Sequence, residues 1–180
     1  MKLKYLPSLC LLFFLSCSSK DQVYENQYLK LVLPSGWMIT EKDNSEDSRW
    51  LVSTLISTDE KFFNDSTTEA PIQNFIVVAV DSEKMAAKYG PMDFSPYCRG
   101  IHERQKARGI EVSELNTTEL KGKKTYYWKS KISREGKDPL IQEQYMIQLL
   151  PYYASFQLTH SLKGKTTDSE KILSSIAFKK

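Results

Sequence analysis

The sequence predicts an α+β fold, and three observations lead to that class. Leu29, Leu31 and Leu33 alternate with other residues, which is the period-two pattern of a strand with one buried face. Similar patterns recur through the second half of the chain and are separated by short turns, as in an antiparallel meander. Three further segments carry the capping signals of helices.

The N-terminus predicts a secretory signal peptide followed by a lipid attachment site. Its start is positively charged, and the apolar run at residues 9–15 is too short to cross a bilayer, which takes about 20 residues. The run ends at Cys17 and resembles a bacterial lipobox, although Phe14 and Leu15 depart from the usual residues. The resemblance implies cleavage just before Cys17 and a diacylglycerol on its thiol. The alternative is an ordinary exported N-terminus in which Cys17 has no role.

A lipidated Cys17 predicts a membrane-bound protein of the bacterial envelope. Each buried CH₂ of an acyl chain such as palmitate contributes about 0.8 kcal/mol, so several chains anchor a protein stably. Ser18 stands where an Asp would retain such proteins at the inner membrane, which favours the outer membrane facing the periplasm. The chain then divides into a signal peptide at 1–16, a lipidated N-terminus and tether at 17–27, and a single domain at 28–180.

Composition supports one globular domain and excludes a nucleic-acid partner. Removal of residues 1–16 leaves 164 residues, the size of one ordinary domain. The mature chain carries 23 basic residues against 22 acidic ones, without the basic block that nucleic-acid binding requires. Cys98 is the one cysteine left after lipidation of Cys17, so no intramolecular disulfide is expected.

Four strands are predicted in the first part of the domain. Pro34-Ser35-Gly36 interrupts the first pattern, and polar stretches at 41–48 and 57–71 follow the second and third. The fourth strand is continuously apolar and rich in β-branched residues, which predicts a central strand with both faces covered. The four strands are expected at Leu29–Leu33, Trp37–Ile39, Trp50–Ile56 and Phe75–Val80.

Two helices are expected next. Ser82 is suited to cap a short helix over residues 82–88, which ends at Gly90. Ser95-Pro96 supplies an N-cap followed by proline at the first helical position, so it begins a second helix. That helix is expected to run to about Arg108 and to stop at Gly109.

The remaining chain predicts four strands and a final helix. Lys121-Gly122 and Glu135-Gly136 supply turns, and Pro151 separates the last two strands. Residues 167–170 have the spacing of a capping box and open a helix to about residue 176. Its core contacts are expected to be Ile172, Leu173 and Ile176. The strands are expected at Ile110–Leu115, Tyr126–Ser133, Leu140–Leu149 and Tyr152–His160.

Three motifs resemble those of a known family. LPSGW, ELKGKKTYYWKS and ILSSIAF are similar to segments of the PsbP-like superfamily, and in particular of DcrB-type bacterial envelope lipoproteins. The resemblance extends from about Tyr28 to Phe178. It implies an antiparallel β-sheet flanked by helices, a PsbP-like α/β sandwich. It also implies a non-enzymatic role without a cofactor, and it carries over no functional residue besides the lipidated cysteine.

No catalytic, cofactor-binding or metal-binding residue is predicted. The two histidines, His102 and His160, lie far apart and lack metal-ligand spacing. His102 is expected on a solvated helix face and His160 beside a turn. Cys98 and His102 are four residues apart on one helix, but Cys98 is expected to be a small buried residue rather than a nucleophile.

Strand alternation also predicts one uncovered surface. If Tyr126 and Trp128 point into the core, the opposite face of the last three strands is polar and carries two tyrosines. Such a face is solvated, covered by a helix, or a docking site for a protein partner. The candidate partner-binding residues are Tyr127, Lys129, Lys131, Gln142, Gln144 and Tyr153.

The function expected from these patterns is that of a lipid-anchored envelope protein that binds a protein partner or supports envelope assembly. The alternative is a small-molecule or glycan-binding lipoprotein that uses exposed tyrosines. An enzyme is the third possibility. An apolar pocket with convergent polar groups would favour the alternative, and a buried, charge-paired titratable cluster would favour the enzyme.

Overall fold

In the part of the chain that the computed structural model describes, two antiparallel sheets pack with two long helices. The structure describes residues 21–35, 37–42, 50–57, 74–81, 83, 86–87, 90–91, 93–161 and 167–179. A three-stranded sheet has the order β1-β2-β11, and an eight-stranded sheet has the order β3-β4-β5-β10-β9-β8-β6, with β7 also paired to β8. The predicted α+β class is therefore confirmed.

The element bounds are close to the predicted ones. The small sheet contains β1 Gln22–Glu25, β2 Leu29–Leu33 and β11 Ala177–Phe178. The large sheet contains β3 Trp37–Lys42, β4 Trp50–Ser57, β5 Asn74–Asp81, β6 Glu111–Val112, β7 Asn116–Leu120, β8 Lys123–Arg134, β9 Lys137–Leu149 and β10 Tyr152–Ser161. The helices are α1 Phe94–Ala107 and α2 Thr167–Ser175.

Both faces of the large sheet are covered, so there are two cores. On one face the small sheet and α2 pack against the central strands, around fully buried Leu31, Phe156 and Ile172. On the other face α1 packs through Phe94 and Cys98 against Trp128 and its neighbours. The predicted central strand β5 contributes to both cores, because Val77 lies in the first and Val80 in the second.

Two segments of the chain differ from the predicted elements. Residues 22–25 lie within the predicted tether but form β1, and Tyr24 is buried in the first core. The strand expected at Ile110–Leu115 is divided: only Glu111–Val112 pairs as β6, and the polar segment Asn116–Leu120 forms β7. Thr117 and Thr118 suit a strand, but β7 is almost wholly exposed and therefore lacks the apolar alternation of a half-buried strand.

The start of α1 is also earlier than predicted. Asp93, not Ser95, is the N-cap, and its carboxylate accepts a hydrogen bond from the backbone N–H of Ser95 at 3.2 Å. Pro96 is thus the third helical residue, where its missing N–H costs little because the first turn has no intrahelical acceptors. The predicted stop is confirmed: Arg108 is the C-cap, and Gly109 follows with φ +75°.

The short helix predicted at 82–88 is described in part. Glu83, Ala86 and Ala87 are helical, and the N–H of Gly90 donates to the carbonyl oxygen of Ala86 at 2.9 Å. Ser82, the predicted cap, lies outside the described residues. The side chain of Asp81 accepts from the N–H of Glu83 at 3.0 Å.

A β-bulge between β8 and β9 fixes which side chains share a face. Next to the hairpin Arg134 pairs with Lys137, but further along Ile132 pairs with Leu140. Between these two pairs β9 therefore contains one more residue than β8. Pro139 lies in this interval, and proline has no N–H for the ladder, which is why it is found at bulges. Because side chains alternate with period two, one extra residue exchanges the two faces of everything beyond it.

Ile172 provides a test of the first core. It is fully buried, whereas its neighbour Leu173 is only partly buried. We expect Ile172→Ala to lower the free energy of unfolding by about 2–5 kcal/mol, because the cavity adds to the lost transfer energy. Urea unfolding followed by tryptophan fluorescence measures this loss. Leu173→Ala is the matched control and should cost clearly less; equal losses would contradict the placement of α2.

Candidate functional site

The cluster with the most chemistry surrounds the carboxylate of Glu143, and we call it the Glu143 network. Glu143 is only 6% exposed. Its Oε1 lies 3.2 Å from Nε2 of His160 and 3.3 Å from Nζ of Lys129. Its Oε2 accepts hydrogen bonds from the hydroxyls of Tyr145 at 2.9 Å and Tyr127 at 3.1 Å. Each carboxylate oxygen therefore has two partners.

The sheet register assembles this network. Lys129 pairs directly with Glu143, and Tyr127 pairs with Tyr145 two residues along. Glu143 in turn pairs with Leu158, so His160 lies two residues along β10 on the same face. Paired and alternate residues of an antiparallel sheet share a face, which brings all five side chains together.

The network holds its carboxylate and its two phenols each in one protonation state. Burial raises the pKa of Glu143, but hydrogen bonds from His160 and Tyr145 and the charge of Lys129 outweigh it and lower the pKa to about 2. Burial, followed by the negative charge of Glu143, raises the pKa of Tyr145. The pKa of Tyr127 is also raised, mainly by burial. Near neutral pH the carboxylate is ionised and both phenols are neutral donors.

This arrangement is suited to holding a fold together rather than to proton transfer. A buried, charge-paired cluster is the feature expected of an enzyme, but a general base acts best when its pKa lies near the working pH. The pKa of Glu143, about 2, is far below that range. Removing one donor would leave a buried charge with incomplete hydrogen bonding, which is costly.

Three of the six predicted partner-binding residues lie on the face of the Glu143 network. Tyr127 is half-buried and donates to Glu143, as described above. Lys129 is 46% exposed at its side chain but bound to the same carboxylate. Lys131 is partly exposed, and its Nζ lies 2.9 Å from Oε2 of Glu111 on β6. These side chains border the sheet edge and are already paired within the chain.

The other three lie on the opposite face. Gln142 pairs with Ser130, and Gln144 pairs with Trp128, which places both on the side of α1. Gln144 is 6% exposed, and its Nε2 lies 2.6 Å from Oγ of Ser155. Tyr153 is 7% exposed.

A ring contact closes Tyr153 off from solvent. Its ring stacks on Phe94 of α1, with the centroids 4.7 Å apart. The prediction that the six residues form one surface is therefore wrong, because the bulge at Pro139 places the residues of β8 on the other face.

His102 is buried, so the prediction of a solvated helix face is wrong. Its Nε2 lies 2.7 Å from the carbonyl oxygen of Ser113, and its ring meets Trp128 edge-on with centroids 5.8 Å apart. Nearby, Oε1 of Gln105 accepts from Nε1 of Trp128 at 2.7 Å and from Oγ of Ser130 at 3.0 Å. These bonds fasten α1 to β8 and to the segment after β6.

His160 and Cys98 complete the predicted chemistry-bearing residues. His160 is the penultimate residue of β10, close to its predicted place at the end of a strand, and it is 6% exposed. Cys98 is fully buried, as predicted, and burial raises the pKa of its thiol to about 12. Cys17 lies outside the described residues.

Within the described ranges, no three His, Cys, Asp or Glu side chains are grouped closely enough to hold a metal ion. None of the helices in that part of the chain is both long and apolar enough to cross a membrane. One sequence signal could have revealed the Glu143 network. Pro139 marks the bulge, and a bulge there pairs Lys129 with Glu143.

Acid unfolding tests the Glu143 network. Because the pKa of about 2 in the folded state lies below the ordinary glutamate pKa of 4.5, Glu143 stabilises the fold above pH 4.5. That contribution, about 3 kcal/mol, is lost as the pH falls through 4.5 towards 2. We expect Glu143→Gln to remove this acid-dependent loss, as measured by urea unfolding at stepped pH. Glu103→Gln, at an exposed carboxylate, should retain it; parallel curves for wild type and Glu143→Gln would refute the network's role.

Thiol labelling tests Cys98. A buried thiol with a raised pKa forms little thiolate, and the thiolate is the reactive form. We expect a maleimide to label Cys98 slowly in the folded protein and rapidly in urea, and Cys98→Ser to leave function intact. Labelling of the folded protein at the rate of a free thiol would show that Cys98 is accessible.

Comparisons with known proteins agree on the fold. No family model and no curated protein matches the sequence. A crystal structure from Bacteroides thetaiotaomicron VPI-5482 superposes with a TM-score of 0.54 at 13% identity, over 89% of this chain and 48% of that one. This chain thus spans about half the length of that protein.

Two smaller proteins match over almost their whole length. LpqN, involved in cell envelope biogenesis of Mycobacterium tuberculosis, gives a TM-score of 0.54 at 14% identity over 89% of this chain and 91% of that one. CyanoP, the cyanobacterial PsbP of Synechocystis sp. PCC 6803, gives 0.58 at 12% identity over 88% and 92%. Identities this low establish the fold and no shared activity. The chain has a PsbP-like fold, as the sequence resemblance predicted.

Proposed function

We propose that this chain is a lipid-anchored bacterial envelope protein whose domain acts without catalysis, by binding a protein partner or supporting envelope assembly. The observation that carries the proposal is the order of segments at the N-terminus. A lipobox-like run ends at Cys17, and the first strand begins at Gln22. The five residue-to-residue steps from Cys17 to Gln22 reach at most about 18 Å when extended. A domain joined to a lipidated cysteine by so short a link works at a membrane surface.

The fold supports an envelope role. LpqN shares the fold and is involved in cell envelope biogenesis. Because the identity is 14%, that role reaches this chain only as part of the proposal. Ser18, in place of the Asp that retains lipoproteins at the inner membrane, supports the outer membrane as the destination.

The Glu143 network supports a role without catalysis. The network is a buried titratable cluster, but the pKa of its carboxylate is about 2, and each carboxylate oxygen already has two partners. The tyrosines that would form a glycan-stacking platform are engaged elsewhere: Tyr127 donates to Glu143, and Tyr153 stacks on Phe94. Binding of a protein partner is therefore preferred to glycan binding through these rings.

Metabolic labelling tests the anchor. We expect Cys17→Ala to abolish incorporation of a radiolabelled fatty acid and to move the protein from the membrane fraction to a soluble or unprocessed form, because the thiol is the attachment atom. Cys10→Ala is the matched control and should keep both label and membrane attachment. Undiminished label in Cys17→Ala would overturn the proposed anchor.

A further inference from the structure

Two turns meet at one end of the large sheet, and together we call them the hairpin tip. It consists of Lys121, Gly122, Lys123, Lys124, Leu150 and Pro151. Thr125 pairs with Ile147, and from this pair β8 leads back to the Lys121-Gly122 turn while β9 leads on to the Leu150-Pro151 turn. Leu149 pairs with Tyr152 across the β9–β10 turn. The basic turn and the apolar turn are therefore neighbours in space.

The tip combines exposed apolar surface with exposed positive charge. Leu150 is 77% exposed, the largest value among the big hydrophobic side chains that the structure describes. Pro151 beside it is also exposed. Lys121, Lys123 and Lys124 are exposed, and within the described ranges none of them forms an ion pair. Nζ of Lys124 lies 5.2 Å from the ring centroid of Tyr126, so Lys121 and Lys123 are the two tip lysines without a partner among the described residues. Single exposed leucines are common, but this one stands in a cluster of cations.

The backbone conformation of the basic turn indicates a functional reason for Lys121. Lys121 and Gly122 have φ values of +52° and +72°, as in a two-residue type I′ turn. That turn prefers Asn, Asp or Gly at the first position, because other L-residues are strained at positive φ. A lysine here makes the turn less stable than Asn, Asp or Gly would, but it places a positive charge at the outermost point of the hairpin. Observed strain of this kind is a reason to look for function.

The tip lies at the end of the molecule away from the attachment point. The hydroxyl of Tyr152 donates to the carbonyl oxygen of Tyr28, so β2 begins beside the tip end of the large sheet. β2 ends at Leu33, and Trp37 shortly after it pairs with Ser57 at the other end of that sheet, so β2 runs away from the tip. β1 is antiparallel to β2 and pairs Gln22 with Leu33, the last residue of β2. The chain therefore enters the fold at the far end of β2. The large sheet is about 33 Å long along β10, which has 10 residues.

We propose that the hairpin tip docks an acidic segment of a protein partner, with Leu150 against an apolar side chain and the lysines paired to carboxylates. The direction of the tip, away from the membrane, rests on the proposed function. Anionic lipid headgroups would also suit lysines beside a leucine, but the tip lies at the opposite end of the large sheet from the point where the chain enters the fold. A protein that reaches the domain from its membrane-distal side fits both the position and the charge.

Site-specific photo-crosslinking in the full-length, membrane-bound protein tests the proposal. A benzoylphenylalanine at position 150 is activated in intact cells, and the crosslinked peptides are mapped by mass spectrometry. We expect protein adducts at a segment rich in Asp or Glu with an adjacent apolar residue. We also expect the adducts to diminish when spheroplasts are washed at high salt before activation, because exposed charge pairs are screened.

A matched pair of variants separates docking from folding. Lys121→Asn with Lys123→Gln removes two charges and places a favoured residue at the positive-φ position, so the melting temperature should hold or rise. Adduct yield from position 150 should fall about fivefold, the effect of losing two exposed ion pairs. The control is Val23→Ser with Lys30→Gln, which removes an exposed apolar group and a lysine from the small sheet. It should leave the yield unchanged.

The remaining outcomes overturn the proposal. Adducts to lipid would show a membrane-binding tip, and adducts to a second copy would show self-association. Adducts to a basic or neutral segment, no adducts, or a yield unaffected by the lysine changes would exclude an acidic partner. Membrane fractionation of the same cells reports the anchor independently. A result that excludes docking at the tip while the anchor is intact can therefore be told apart from a result that excludes the proposed envelope attachment.

Discussion

The rest of the structure depends on the need to bury both faces of one long sheet. β10 lies at its centre between β5 and β9, and alternate residues of β10 point to opposite cores. Phe156 is fully buried beneath the small sheet, while Tyr153 is buried beneath α1. The two ends of the sequence together form one cover, which consists of β1, β2, α2 and β11, and the middle of the sequence supplies the other cover, α1. Detachment of either cover from the large sheet would expose the core beneath it.

Burial on both sides also explains why a charged side chain is found inside. Glu143 lies on the face covered by the small sheet, close to the edge of its core, and a carboxylate there needs hydrogen bonds that water cannot supply. The neighbouring strands provide them through Tyr127, Lys129, Tyr145 and His160. A network with so many members is satisfied in one register only, and so it adds selectivity to a sheet whose faces are both largely apolar.

The strand positions were predictable from sequence, but the faces of β8 were not. Turn residues such as Gly122 and Gly136 mark where strands end, and an alternating pattern marks where they run, so most predicted ranges agree with the structure. When a sheet is covered on both sides, the odd-numbered and the even-numbered residues of a strand both include apolar side chains. Tyr126 and Trp128 suit one core as well as Tyr145 suits the other, so alternation alone does not assign the faces. Without the bulge, Lys129 would pair with Gln142 and the predicted surface would exist. The buried histidines were missed because their partners are distant in sequence.

The bulge at Pro139 has a consequence for how this fold varies in evolution. Chain length is usually free to change near a surface hairpin, and the Glu135-Gly136 turn is such a place. Here a deletion of one residue between that turn and Leu140 exchanges the inner and outer side chains of twelve-residue β8 relative to β9. Lys129 would lose Glu143, and half of each core would turn outward. Diverging relatives are therefore expected to conserve the residue count of this short interval more strictly than the identity of any residue within it.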